Sequence, residues 1–113
     1  MDKINFEKLD DNFINLYEVG IFIKSLEFSA LKLNEFFGYK LTFGIDKKSH
    51  FLYFEVGFPK TRLDERINEI VKSGYSIRYF PKNSLPIIYN GKNIFKKDEK
   101  DLVDRKQNII KLA

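Results

Sequence analysis

The sequence predicts an α/β (α+β) domain: a mixed β-sheet flanked by helices, with a hairpin and a helix at its C-terminal end. Three observations predict it. Runs of β-formers such as Tyr39–Ile45, Phe51–Phe58 and Tyr75–Phe80 alternate with stretches whose apolar residues recur every three or four positions. Gly38 and Gly74 stand where two of those helical stretches should stop. At 113 residues and 43% hydrophobic, the chain has apolar surface for one core and too little length for two.

An opening helix is carried by Phe6, Leu9, Phe13 and Leu16, with Asp2 as its N-cap. The run Phe13–Leu26 is rich in β-formers and contains Gly20, so extended chain takes over there. Ser25–Phe37 fits a helix with Leu26, Ala30, Leu33 and Phe37 on one face and Lys32 and Glu35 outside. Tyr39–Ile45 and Phe51–Phe58 form a hairpin across the polar turn Asp46-Lys47-Lys48-Ser49. Pro59 ends the second strand, and Thr61 caps a helix whose inner face is Leu63, Ile67, Ile70 and Val71. Gly74 closes that helix after Lys72, a cation placed to suit the helix dipole.

Tyr75–Phe80 is a further strand. Asn90-Gly91 predicts a hairpin between Leu85–Tyr89 and Lys92–Phe95. Asp98 opens a last helix with a partial apolar stripe of Leu102, Val103, Ile109 and Ile110. The expected order is α-β-α-β-β-α-β followed by a hairpin and a helix. Residues 1–80 form the α/β domain, and 81–113 a basic extension packed on it or extending from it.

Charge narrows the function classes. Lys and Arg number 20 against 16 Asp and Glu, a net +4 and a pI near 9.2. Residues 1–45 carry −2, residues 46–80 carry +2 and residues 81–113 carry +4. The basic half therefore begins after Gly44 and favours a polyanionic partner. No uncharged apolar run is longer than the five residues Val19–Ile23, so no membrane span is expected. Acids at Asp2, Glu7, Asp10 and Asp11 are unlike a signal peptide. With no Cys and one His, neither disulfides nor a zinc site is expected, and the cytoplasm is the expected setting.

Catalytic signatures are sparse. There is no GxxxxGK[ST] loop, and six dispersed glycines give no GxGxxG, so nucleotide hydrolysis is not expected. His50 is the sole imidazole and lies beside a turn, where it reads as solvated surface. Asp46 and Glu55 bracket a hairpin at the spacing of a metal-dependent nuclease, but Gly57 stands where the lysine is needed. Asp10-Asp11 and Asp64-Glu65 read as solvated charge. No enzyme activity, metal or cofactor is expected.

Two segments carry a resemblance. LYEVGIFIKSLEFSALKLNEFFGYKLT (Leu16–Thr42) resembles the start of the mismatch-recognition domain, domain I, of the DNA mismatch-repair protein MutS. That domain has an FYxxGDFYE-type run, an alanine-containing helix and a strand ending in Leu-Thr. FEVGFPKTRLDERINEIVKSGYSIRYF (Phe54–Phe80) is similar to the family's GIPYHAxxxYLxxLVxxGxxVAIC segment, with Gly57, Pro59 and Gly74 on its Gly-x-Pro and helix-ending glycine. The resemblance covers about residues 5–80. It implies the MutS domain I fold, and it places Phe22 on the phenylalanine that wedges between base pairs at a mismatch. Lys24 stands on the family's Glu, and Ile21 and Ile23 replace the Asp and Tyr around the Phe. A lysine donates where the Glu accepts, which shifts the expectation from mismatch discrimination toward phosphate attraction. The chain has no connector, clamp, lever or ATPase segment of that family.

Two functions follow as expectations. The first is a standalone nucleic-acid-binding module for distorted, mismatched or structured DNA or RNA, an accessory suited to a mobile element or phage. Phe22 would be the wedge, and Lys24, Lys47, Lys48, Lys60 and Arg62 the phosphate contacts. Lys96, Lys97, Lys100, Arg105 and Lys106 would form a basic tail. The second is a protein–protein interaction module, an inhibitor or subunit, with Tyr17, Phe28, Phe51 and Tyr53 facing a larger protein. Whether Phe22 is exposed beside a basic face or buried separates the two.

Overall fold

A computed structural model describes residues 3–8, 12–92 and 96–112. The predicted mixed sheet flanked by helices is what forms. Helices are α1 (Lys3–Lys8), α2 (Glu27–Phe37), α3 (Leu63–Lys72) and α4 (Glu99–Leu112). Strands are β1 (Ile14–Val19), β2 (Phe22–Leu26), β3 (Thr42–Ile45), β4 (Leu52–Pro59), β5 (Ile77–Phe80) and β6 (Ile87–Tyr89). The sheet order is β3-β4-β2-β1-β5-β6. Only β1 and β5 run parallel, joined through the α2, hairpin and α3 segments; every other neighbour is antiparallel.

Period-2 alternation sorts each strand between two faces. Ile14, Leu16, Ile23, Phe54, Val56, Phe58, Ile77 and Tyr79 point to one side and pack with Ala30 and Leu33 of α2 and Ile67 and Ile70 of α3. Tyr17, Phe22, Lys24, Glu55, Gly57 and Phe80 point to the other side, which no long helix covers. Gly38, at φ 68°, ends α2 by donating its N–H to Asn34 O, as its position after Phe37 predicts. Gly74, at φ 100°, closes the α3 end and bonds Val71 O.

Several expectations need correction. The extended run Phe13–Leu26 is not one strand but a hairpin, folded back at Gly20-Ile21. The opening helix stops at Lys8, and Leu16 is a buried residue of β1 instead of a member of its stripe. Asp2 and Leu9 lie outside the described residues. Helix α2 starts at Glu27, because Ser25 and Leu26 complete the β2–β4 ladder. Pro59 does end β4, as its last residue, but Thr61 sits in a 3₁₀ turn (Lys60–Arg62) without capping α3. β6 pairs with β5; of its expected hairpin mate, Lys92 is not in a strand and residues 93–95 lie outside the described residues.

Helix α4 docks on the domain. Asp98 caps it, its Oδ1 accepting the Asp101 N–H at 3.0 Å. Leu102 enters the core and Ile109 packs against it, but Val103 and Ile110 face outward, so half of the expected stripe is exposed. The deeper tie is ionic. Glu27 is fully buried at φ 52°, where its Oε1 accepts the Phe54 N–H at 2.8 Å, and Lys106 of α4 reaches its Oε2 at 2.5 Å. A second buried carboxylate, Glu7 of α1, accepts from the Ser29 hydroxyl and N–H, and Lys97 lies beside it. Burial pushes the Glu7 carboxyl up to about 7.

Candidate nucleic-acid interface

The β1–β2 hairpin builds an apolar projection at one end of the sheet. Val19 and Phe22 close it as a cross-strand pair, leaving Gly20 and Ile21 as a two-residue loop. Gly20 adopts φ 61° at the first loop position, where a type II′ turn needs a glycine. Among the described residues nothing buries the tip. Ile21 is 76% exposed, Phe22 45% and Val19 39%. Three apolar side chains thus stand in water on one turn, which makes the tip a candidate contact site. Pro59 stands opposite Phe22 on β4, and the Lys60 N–H bonds Ile21 O at 2.9 Å, fixing the turn after β4 against the tip.

Charge around the tip is mixed. Lys60 Nζ holds Glu18 Oε1 at 2.7 Å, and Arg62 holds Glu65 at 3.0 Å. The Lys60 hydrogen bond holds the Glu18 carboxyl below its ordinary range, and Glu18 in turn raises Lys60. The Lys82 N–H also leans on Glu18, at 3.4 Å, and brings a third exposed cation to this end. Lys24 lies two residues beyond Phe22 on the same sheet face, with its Nζ 2.8 Å from Glu55 Oε1. Each of these pairs is exposed or half-exposed, so the carboxylates lower the local field without fixing the cations strongly.

The structure thus gathers Phe22, Lys24, Lys60 and Arg62 at one end of the sheet. It does not gather the rest. Lys47 and Lys48 occupy the turn before β4, and seven residues of strand, roughly 23 Å, separate that turn from Pro59 and the tip. Lys97 donates to Glu7 O at 3.0 Å and lies over the Phe28 ring, placing it and neighbouring Lys96 at the α1–α2 end. Part of the basic tail is turned inward, since Lys106 faces Glu27 and the Phe51 ring, while Arg105 pairs with Asp101 at the surface. Lys100 is exposed on the first turn of α4.

Two of the four aromatics expected to face a protein partner are buried, and a third is half-buried under a lysine. Tyr17 is 2% exposed, stacked on Phe80 at 4.8 Å with its hydroxyl donating to Lys3 O, and Phe28 is 4% exposed. Phe51 lies under the Lys106 ammonium, 4.0 Å from its ring centre. Tyr53 stays half-exposed on the open face.

The nuclease spacing does not assemble. Thr42, not Asp46, faces Glu55 across the β3–β4 ladder, so the carboxylates sit about four residue steps, roughly 13 Å, apart along the hairpin. Asp46 Oδ2 is also committed to the Ser49 N–H and hydroxyl. His50 lies exposed in that turn at φ 58°. Among the described residues no group of three or more His, Asp or Glu side chains is placed to hold a metal ion, and no helix is long and apolar enough to cross a membrane.

Residues that the sequence reading gave no part in the site now join it: Val19, Ile21, Glu18, Glu55 and Lys82. The signal that could have found the first two is Gly20 at the centre of an apolar run, a turn residue with β-formers on both sides. No protein-family model and no curated protein matches the chain.

Proposed function

We propose that this chain is a non-catalytic module that binds distorted, mismatched or structured DNA or RNA, built like domain I of MutS, with Phe22 as its wedge. One observation carries the reading: Phe22 is half-exposed on a rigid hairpin tip flanked by Val19 and Ile21. A sequence built for a core would have turned that ring inward. An aromatic held out on a turn enters a minor groove or stacks on an unpaired base, and such stacking contributes about 1–3 kcal/mol per base. Lys60, Arg62 and Lys82 provide the phosphate contacts near the tip.

Fluorescence anisotropy tests the proposal on matched duplex, mismatched duplex, single strand, branched DNA and structured RNA at two salt concentrations. Distorted ligands bind more tightly than matched duplex, and Phe22→Ala abolishes that preference. Equal binding of all ligands by wild type, or a preference that survives Phe22→Ala, overturns it.

A protein partner is the second reading, and the edge strand β6 favours it. Leu85, Ile87 and Ile88 are exposed at 85%, 42% and 53%, in the nine-residue uncharged stretch between Lys82 and Lys92. A sheet edge without charged guards is a template for strand addition. Ile88→Lys separates the two readings: it blocks strand addition at β6 and leaves binding through the Phe22 tip intact.

A further inference from the structure

We infer that the groove on the open sheet face, beside Phe22, takes one unstacked nucleobase, and that the Lys24–Glu55 pair on its wall selects guanine. The inference rests on the nucleic-acid reading above and names the ligand group that reading leaves open.

The groove holds about 290 Å³, at the lower edge of ordinary small-molecule sites. Tyr17, Tyr53, Ile4 and Leu26 give it flat and apolar walls. Its charged lining is the Lys24–Glu55 pair, whose side chains are 35% and 25% exposed, together with Lys3 and Asp46, so the four groups sum to no net charge. Lys24 follows Phe22 by two residues on the same strand face, roughly 7 Å along β2. A base unstacked by the ring therefore has the groove within reach. Across the ladder from Lys24 stands Gly57, exposed and in ordinary strand conformation. A Cβ there would meet nothing nearer than Ile23 O at 3.8 Å, so neither packing nor backbone demands a glycine. Its absence of a side chain leaves the β4 peptide bare beside the pair, an arrangement that suits close approach by a flat ligand.

The chemistry of the wall selects the ligand. An ammonium and a carboxylate in contact are together neutral, so the pair offers a phosphate no net attraction. It suits a neutral edge that donates to the carboxylate and accepts from the ammonium. A carboxylate takes two parallel N–H donors. Guanine alone among the bases sets two adjacent donors, N1–H and the 2-amino group, next to a carbonyl oxygen. Glu55 accepts from both donors while Lys24 donates to O6. Adenine and cytosine offer one amino group beside a ring acceptor, and thymine or uracil one N–H between two carbonyls, so each leaves a carboxylate lone pair without a partner.

Duplexes carrying a single extrahelical G, A, C or T test this by anisotropy. The guanine bulge binds at least about fivefold more tightly than the other three, the low end of what one bidentate base contact discriminates. Glu55→Gln and, separately, Lys24→Met abolish that advantage, with thermal melting confirming that each variant is folded. Phe22→Ala instead weakens all four bulges toward matched duplex. Four bulges bound equally, yet better than matched duplex, overturn the guanine site and leave the wedge standing. A guanine advantage that survives Glu55→Gln overturns it as well. Should no bulge bind better than matched duplex, the wedge reading fails, and titration with free nucleosides decides the groove. Amide shifts at Tyr17, Tyr53 and Gly57 with guanosine alone support the site, and shifts with all four nucleosides or with none overturn it.

Discussion

Lys106→Met is the sharpest test of how the C-terminal helix is held. The Glu27 side chain is 1% exposed and that of Lys106 13%. Glu27 Oε1 serves the Phe54 N–H, just past the last β2–β4 partner, where the ladder has no further residue of β2 to offer. With the ammonium gone, a carboxylate stays buried with its Oε2 unmatched. Removing one partner of a buried pair costs about 3–5 kcal/mol, and the slight exposure of Lys106 argues for about 3. For a chain of 113 residues that corresponds to a Tm lowered by about 12 °C, and to a large share of the stability of an ordinary domain. Glu27→Gln combined with Lys106→Met should recover most of the loss, because a glutamine oxygen still accepts from Phe54 and leaves no buried charge. The assay is urea unfolding of the wild type, the two single variants and the double variant. A Lys106→Met loss below about 1 kcal/mol would place the pair with exposed ion pairs and refute the reasoning.

Two further outcomes follow. Glu7 titrates near 7 when folded against an ordinary 4.5, so between those values the folded chain keeps a proton that the unfolded chain has lost. Its contribution therefore falls as pH rises through that window, by about 1.4 kcal/mol per unit; Lys97, Ser29 and Asn15 all work against the shift. Glu7→Gln should remove that slope, and a wild-type-minus-variant stability difference that is flat from pH 4.5 to 7 would contradict the assignment. A Cβ on Gly91 would overlap the Gly74 carbonyl and the Tyr75 backbone, so Gly91→Ala should break the Gly91 N–H to Ser76 Oγ bond and cost about 1–3 kcal/mol in chemical denaturation. An unchanged midpoint would mean that the segment after β6 yields freely.

What the sequence made legible follows from how local each signal is. Gly38 and Gly74 mark helix ends because the left-handed backbone they adopt is a property of one residue. The stripes Ala30–Leu33 and Ile67–Ile70 show through periodicity and become the helix side of the core. The β1–β2 hairpin stayed hidden, since Val19-Gly20-Ile21-Phe22 is as apolar as a strand interior and carries no Asn-Gly or Asp-Gly. Its exposure is a tertiary fact, set by Pro59 and Lys60 closing beside it. The hairpin mate that Asn90-Gly91 predicts falls largely on residues 93–95, outside the described residues. Among the described residues β5 takes β6 as its partner, and the Gly91 N–H goes to Ser76.

Charge was the least legible signal, and its redistribution bears on how the tip would work. Residues 81–113 carry +4, which in sequence reads as a basic tail. Folding directs Lys97 and Lys106 to the Glu7 and Glu27 region and Arg105 to Asp101. At the tip, Lys60 and Arg62 each hold a carboxylate. A nucleic acid meeting this end finds Lys60 and Arg62 shared with carboxylates and Lys82 beside them, so binding there would depend on salt less steeply than three unshared cations would make it. A larger share of affinity would then come from the ring of Phe22, with Val19 and Ile21 beside it. Such a surface discriminates by shape: a stacked, regular duplex offers the apolar tip nothing to enter, and an unstacked step does. Preference for distortion and reduced salt dependence are thus two consequences of one arrangement, a hydrophobic turn held out by a sheet whose cations are mostly engaged with its own carboxylates.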